Sequence, residues 1–445
     1  MTQKRIHIGK QLRHSTINEV AGQYVDLDGE VFYQIANYDQ MKDFFISVVS
    51  DSNHWLFIST RGGLSAGRIN PDNALFPYYS DDKISDGSPY TGSRTIALVT
   101  REGKTSLWEP FSEQCTGIYN ITRNLYKNVI GDKLIFEEIN NDLDVTFRYA
   151  WRTSDKFGFV KTSTLVNNSA DATYVEIVDG IENLLPYGVE PDVQNSLSCL
   201  VDAYKKNELQ ADSGVGLYSM SSILVDRAEP SEALSATTVW SVGLPNAKRL
   251  VSSIQLNNFR HGWEIEQETD VRARRGAYFI NDGINLAPHG EETWSIVADI
   301  NQGPADVKNL IAYLAADNNI AEEIETDIAL GSKNLSRIVG ISDGLQVTED
   351  KLSANHHFSN VLFNVMRGGL FVDNYEVTKD DLISFVKGFN RKIFAEFEAF
   401  FNNLDDKFHY SDLIQAAEAQ NNAGLQRLCF EYLPLSFSRR HGDPS

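Results

Sequence analysis

Amide and guanidinium side chains delivered to the end of an apolar segment can hold hydroxyl groups or an oxyanion, and one stretch of this chain has that composition. His356-His357-Phe358-Ser359-Asn360-Val361-Leu362-Phe363-Asn364-Val365-Met366-Arg367-Gly368-Gly369 carries Asn364 and Arg367 to a Gly-Gly break. The structural alternative is a capped turn with a surface arginine. A second cluster, Arg439-Arg440-His441-Gly442-Asp443, lies just before the last two residues, Pro444 and Ser445. Two adjacent guanidiniums and an imidazole suit a phosphate, but Asp443 could equally pair with the arginines in a Gly-Pro turn. The residues alone leave both alternatives open.

Other motifs point away from common chemistries. Arg61-Gly62-Gly63-Leu64-Ser65-Ala66-Gly67-Arg68 looks like a phosphate-cradling loop. It lacks the Gly-Lys-Ser/Thr of a P-loop and the spacing of a dinucleotide fingerprint, so a turn between strands is expected. No His-Glu-x-x-His occurs, and the adjacent His356 and His357 point to different sides of any regular element, which argues against a shared metal. Asp81-Asp82 and Asp142-Leu143-Asp144 fit no calcium loop and read as solvated turns. No metal site and no catalytic residue is assigned.

Composition narrows the partners. The 445 residues carry a formal charge of -21, from 40 Lys plus Arg against 61 Asp plus Glu, which disfavours nucleic acid or an anionic membrane and is compatible with a neutral ligand. Hydrophobic residues at 42% and aromatics at 11% supply packed interiors. The start, Met1-Thr2-Gln3-Lys4-Arg5-Ile6-His7, leads into no signal-peptide core, and a cytoplasmic location is the default expectation. Cys115, Cys199 and Cys429 are far apart and read as reduced thiols.

These side chains need elements to position them. Up to about residue 300 the pattern is of short strands and polar turns, clearest at Val145-Thr146-Phe147-Arg148-Tyr149-Ala150-Trp151, where alternate residues share one face of a pleat. Similar runs at 31–35, 55–59, 95–99, 157–162, 174–178, 237–242 and 294–298 predict stacked antiparallel sheets, a large sandwich. After Gln302-Gly303-Pro304 the period lengthens to a helical one. Val307, Leu310, Ile311 and Leu314 form one stripe, continued by Ile320, Ile324 and Ile328 with Gly331 as the stop. A helix capped by the Thr378 hydroxyl is expected to run through Leu382, Phe385, Val386, Phe389, Ile393, Phe397, Phe400, Phe401 and Leu404. Further helices are expected from Ser411 and over Leu425 to Tyr432, ended by Pro434. The Phe-rich helices should leave an exposed apolar flank.

The order of a β domain, a linker and Phe-rich paired helices has a counterpart. With Phe363-Asn364-Val365-Met366-Arg367 and Leu433-Pro434-Leu435-Ser436-Phe437-Ser438-Arg439-Arg440-His441-Gly442-Asp443-Pro444-Ser445, it resembles the cellobiose and chitobiose phosphorylase-type proteins, the inverting glycoside phosphorylase family, and more narrowly a large bacterial branch of it. The resemblance covers the whole chain in layout, with its specific wording in the last hundred or so residues. It implies a galactose-mutarotase-like β-supersandwich over 1–303, a helical linker over 304–340, and the start of an (α/α)6 barrel over 341–445.

It also implies one carboxylic acid that protonates the glycosidic oxygen while inorganic phosphate, as co-substrate, attacks the anomeric carbon from the opposite face. No other cofactor is implied. That acid is expected after Ser445, so this chain reads as the N-terminal portion of the enzyme, inactive alone. Asn364 and Arg367 match a segment near the sugar subsite, although Gly368-Gly369 departs from the serine-rich wording of characterised members. Arg439, Arg440 and His441 fall in the branch motif, and phosphate or substrate contact is assigned to them on charge. An oligosaccharide is the expected partner, and a homodimer is allowed. Alternatives are a non-catalytic carbohydrate- or partner-binding protein, an inverting glycoside hydrolase fragment, or a sugar epimerase using the sandwich itself, for which no histidine and carboxylate pair stands out.

Overall fold

Alternating side chains build the main core. In the computed structural model, Val145, Phe147, Tyr149 and Trp151 of the strand Val145–Ser154 are all buried in one cluster, as the period of two requires. The structure describes residues 5–14, 18–113, 116–222, 233–316, 319–341, 345, 348–366 and 376–432. Its contacts divide the chain into one unit of residues 1–48 and 56–328 and another of 49–55 and 329–445.

The first unit is an antiparallel sandwich. An eleven-stranded sheet and a five-stranded sheet face each other, and a four-stranded sheet, from Phe45–Val48 to Ala74–Phe76, adds to the same core. Phe136 and Phe147 come from the large sheet, Ile177 and Ile280 from the smaller, and all meet in one cluster. Neighbouring residues on the same strands serve a second core. Val239 and Ile296 face inward, whereas Trp240 and Val297 face outward and pack with Ile324 and Ile328. Partly buried Leu310, Ile311 and Leu314 join them from the helix Pro304–Ala315. The helical stripe read from the sequence therefore covers the back of the large sheet. On the back of the smaller sheet, Leu256 and Phe259 of the helix Leu256–Arg260 pack on Ile96, Val178 and Phe279. Each of the eight strand runs expected from alternation overlaps an observed strand.

Among its described residues the second unit is mainly helical, with a small strand pair, Glu376–Thr378 and Lys407–His409. Three expectations need correction here. Gly331 does not end its helix, which runs from Ile320 to Ile341 and buries Leu335 and Val339 beyond it. A methyl at 331 would lie 2.8 Å from the Asp51 carboxylate, so the glycine serves a close approach, and Asn334 Nδ2 donates to the same carboxylate at 2.8 Å. Thr378 sits at the N-cap of Lys379–Phe389, but its hydroxyl makes no capping bond. Lys379 N donates instead to Asp406 O at 3.0 Å.

The long Phe-rich helix is in fact three short ones, Lys379–Phe389, Arg391–Glu396 and Glu398–Asn402. Asn390 leaves the helical region at φ -152°, ψ 89°, and its Oδ1 accepts from Ile393 N at 3.1 Å, which starts the next helix. Asn390→Ala is therefore expected to cost about 1 kcal/mol of stability, and Asn390→Asp much less, as read by urea unfolding; equal costs would count against the cap. Tyr432 OH donates to Asp381 Oδ2 at 2.6 Å and its ring meets Phe385, tying the last described helix, Ala423–Glu431, to the first of the three. Phe389 is 71% exposed, so part of the Phe-rich surface is open. Among the described residues, no helix is long and apolar enough to cross a membrane.

Candidate functional site

A cleft of about 660 Å3 opens within the first unit, a size suited to a small organic ligand. Its floor is aromatic. Phe136 and Tyr149, on adjacent strands of the large sheet, stack at 5.0 Å and 12°, and Phe111 meets Tyr149 edge-on at 5.2 Å. One wall is the stretch Ser93-Arg94-Thr95 on the strand Gly92–Arg101 of the smaller sheet. The others are the one-turn helix Tyr38–Gln40 with the residues after it, the turn at Arg61-Gly62, and the segment 109–113 that follows the strand Lys104–Trp108.

Most of its charged groups arrive already paired. Arg123 lies opposite Glu138 in the strand register, and its Nε donates to Glu138 Oε2 at 2.8 Å. Glu138 also accepts from Trp108 Nε1 at 2.8 Å and from Phe111 N at 2.7 Å, which fixes the aromatic wall. Arg94 Nε donates to Glu182 Oε2 at 2.8 Å. Arg61 pairs with Asp43 at 2.5 Å and, more loosely, with Glu113 at 3.6 Å. Arg260 holds the buried Glu109 through two bonds, at 2.7 and 2.9 Å. Such forked pairing sets the plane of both groups.

Burial and charge tune the groups further. Burial alone would lower the Arg123 pKa, but the Glu138 carboxylate, with smaller help from Tyr38, outweighs it and the net shift is upward. Burial pushes the phenols of Tyr38 and Tyr149 up, so both stay protonated donors across the physiological range. Beneath the floor, Lys161 Nζ stands 5.6 Å from the Tyr149 ring centre and donates to Asp179 at 2.5 Å. Thr95 Oγ1, Ser163 Oγ and Trp294 Nε1 donate to the same carboxylate at 2.6, 2.8 and 2.8 Å. This network fixes the position of the cleft floor.

The site residues expected from the sequence lie elsewhere. Asn364 falls on the helix Lys351–Met366, with its side chain outside the described residues, and Arg367, Arg439, Arg440 and His441 lie outside them altogether. Arg61-Gly62 is a turn, as expected, with Gly62 at φ +85°, where glycine avoids strain. Its role in the cleft was not read from the sequence; a charged residue at the start of a Gly-Gly turn was the available signal. The acidic pair around Leu143 is also a turn. Asp142 accepts from Asn120 N at 2.8 Å and Asp144 pairs with Arg101 at 3.2 Å. His356 and His357 sit side by side on the helix Lys351–Met366. Among the described residues no group of three or more His, Cys, Asp or Glu could hold a metal ion. Cys199 is an exposed free thiol, and burial pushes the Cys429 thiol up to about 12.

Residues 371–434 match the family model of glycoside hydrolase family 149 insertion domain 1. No curated protein matches the chain. Among solved structures, a bacterial glucoamylase complexed with acarbose is similar at a TM-score of 0.43 and 10% identity, over 77% of this chain and 47% of that one. A human-microbiome protein described as a kojibiose phosphorylase is similar at 0.37 and 8%, over 79% of this chain and 45% of that one. A Klebsiella pneumoniae protein described as an aldose 1-epimerase gives 0.26 and 9%, over 67% and 93%. The chain thus spans about half the length of the glucoamylase and of the kojibiose phosphorylase.

Proposed function

We propose that this is a carbohydrate-active protein on the plan of an inverting glycoside phosphorylase, acting on a β-linked disaccharide or oligosaccharide. The observation that carries the reading is the match of residues 371–434 to a glycoside hydrolase insertion domain, placed after an antiparallel β-sandwich in the same chain. We take residues 341–445 as the opening of a helical barrel domain, with the matched stretch as a module set into it. In the proposed reaction a carboxylic acid gives its proton to the glycosidic oxygen as the C–O bond breaks. Phosphate forms the new bond on the opposite face, so a β-linked substrate yields an α-sugar 1-phosphate. The general acid is assigned to no residue of this chain.

The test is to incubate the protein bearing this chain with β-linked gluco-oligosaccharides, with and without inorganic phosphate, and to separate the products. Phosphate-dependent release of α-sugar 1-phosphate is the expected outcome. Free reducing sugar with no phosphate requirement would replace it with the hydrolase reading. Saturable sugar binding without either product would favour a non-catalytic binding protein.

A further inference from the structure

We propose that the sandwich cleft is itself a binding site for a neutral sugar residue of an oligosaccharide, held by the terminal guanidinium nitrogens of Arg94 and Arg123 beside the Phe111 wall. It goes beyond the proposed phosphorolysis by placing glycan recognition on the β unit, and it does not depend on that reaction.

Charge balance decides the ligand class. Arg61, Arg94 and Arg123 each face a carboxylate through Nε, Glu109 faces Arg260, and Lys42 and Asp39 offset each other in the lining, so no strong excess of either sign selects an anion or a cation. Hydrogen-bonding capacity remains. Arg94 and Arg123 have side chains only 17% and 13% exposed, and among the described residues their terminal Nη groups have no partner. A guanidinium offers five donors in a fixed fork, and four on each residue are unspent. Unmet donors at a largely buried position cost free energy unless a ligand or water receives them.

Acceptors share the cleft. Asp39, Asp43 and Glu113 line the same cleft, with the Asp43 and Glu113 side chains 41% and 65% exposed. A sugar hydroxyl both donates and accepts, so it can use the arginines and the carboxylates together. An ionised carboxylate ligand can only accept, so it could use the arginines but not the carboxylates. The partly buried Phe111 ring on the cleft wall supplies an apolar contact for the C–H face of a pyranose, and the buried Phe136 and Tyr149 rings hold it edge-on.

Calorimetric titration of the 445-residue chain with neutral gluco-, manno- and galacto-oligosaccharides, and separately with glucuronate and inorganic phosphate, tests the assignment. One neutral series should bind at a single site and more tightly than either anion. Arg94→Lys keeps the charge facing Glu182 but removes the fork, and should weaken that binding at least about tenfold while leaving the unfolding midpoint in place. Arg61→Gln, at a more exposed position, should weaken it less. Failure of every neutral series to bind, tighter binding of an anion, or wild-type affinity in both variants would overturn the proposal. A failed phosphorolysis assay would leave it standing, and its own failure would leave the phosphorolysis reading untouched.

Discussion

Asp179→Asn is expected to lower the unfolding free energy by about 3–5 kcal/mol, the cost of leaving a buried charge without its partner. Asp179 and Lys161 are both 0% exposed, and the four donors on the carboxylate come from three different strands. Asparagine preserves the shape, so no cavity confuses the reading. It keeps one acceptor oxygen but turns the other position into a donor, facing an indole N–H that cannot reverse its role. Lys161, whose pKa burial already lowers against the pull of Asp179, loses its counter-charge altogether. Lys161→Met alone leaves the opposite orphan. The double variant should cost less than the sum of the two singles by at least about 1 kcal/mol, because the second change removes what the first strands. Urea unfolding of the four proteins reads the cycle, and strict additivity would mean the pair is not coupled. Thr95 and Tyr149 line the cleft above this network, so Asp179→Asn should also weaken any ligand held there.

The paired arginines explain which parts of this molecule could be read from its sequence. Val145, Phe147, Tyr149 and Trp151 announce their strand because burial on one face imposes a period of two within seven residues. The stripe from Val307 to Ile328 is equally local. Gly331 misled because glycine ends helices by its backbone freedom, whereas this one is needed for its missing side chain beside Asp51, some 280 positions away. Asn390 misled in the other direction, since an apolar stripe continues in register across the break. The cleft was illegible for the same reason as Gly331. Arg94 meets Glu182 across 88 positions and Arg260 meets Glu109 across 151, and no short window contains either pair. The sandwich brings them together only after the strand order places the Gly92–Arg101 strand beside Thr173–Leu184.

Lys127→Met is expected to remove a pH dependence of about 2–3 kcal/mol. Lys127 lies on the strand Ile121–Asn128, which also carries Arg123, and its Nζ donates to Ser47 O at 2.8 Å. Burial lowers its pKa from 10.5 to about 8, against a weaker opposing pull from Asp132. Between those two values the unfolded chain holds the proton more firmly than the folded one, so stability rises with pH across the window. Below about pH 8 both states are protonated and the desolvation penalty is fully present; above about 10.5 both are neutral and it is gone. The full difference of 2.5 units corresponds to about 3.4 kcal/mol, an upper bound because the residue keeps some solvent exposure. Methionine has no such titration, so any advantage it shows at pH 7 should shrink steadily from pH 8 to pH 10. The tyrosines pushed upward by burial begin to titrate in the unfolded chain near pH 10 in both proteins, and their effect cancels in the difference. Urea unfolding at intervals across that range reads the change directly. A constant gap between the two proteins would mean that the ammonium is solvated. In that case Lys127 joins the Arg123 strand to the neighbouring Ser47 carbonyl without straining either.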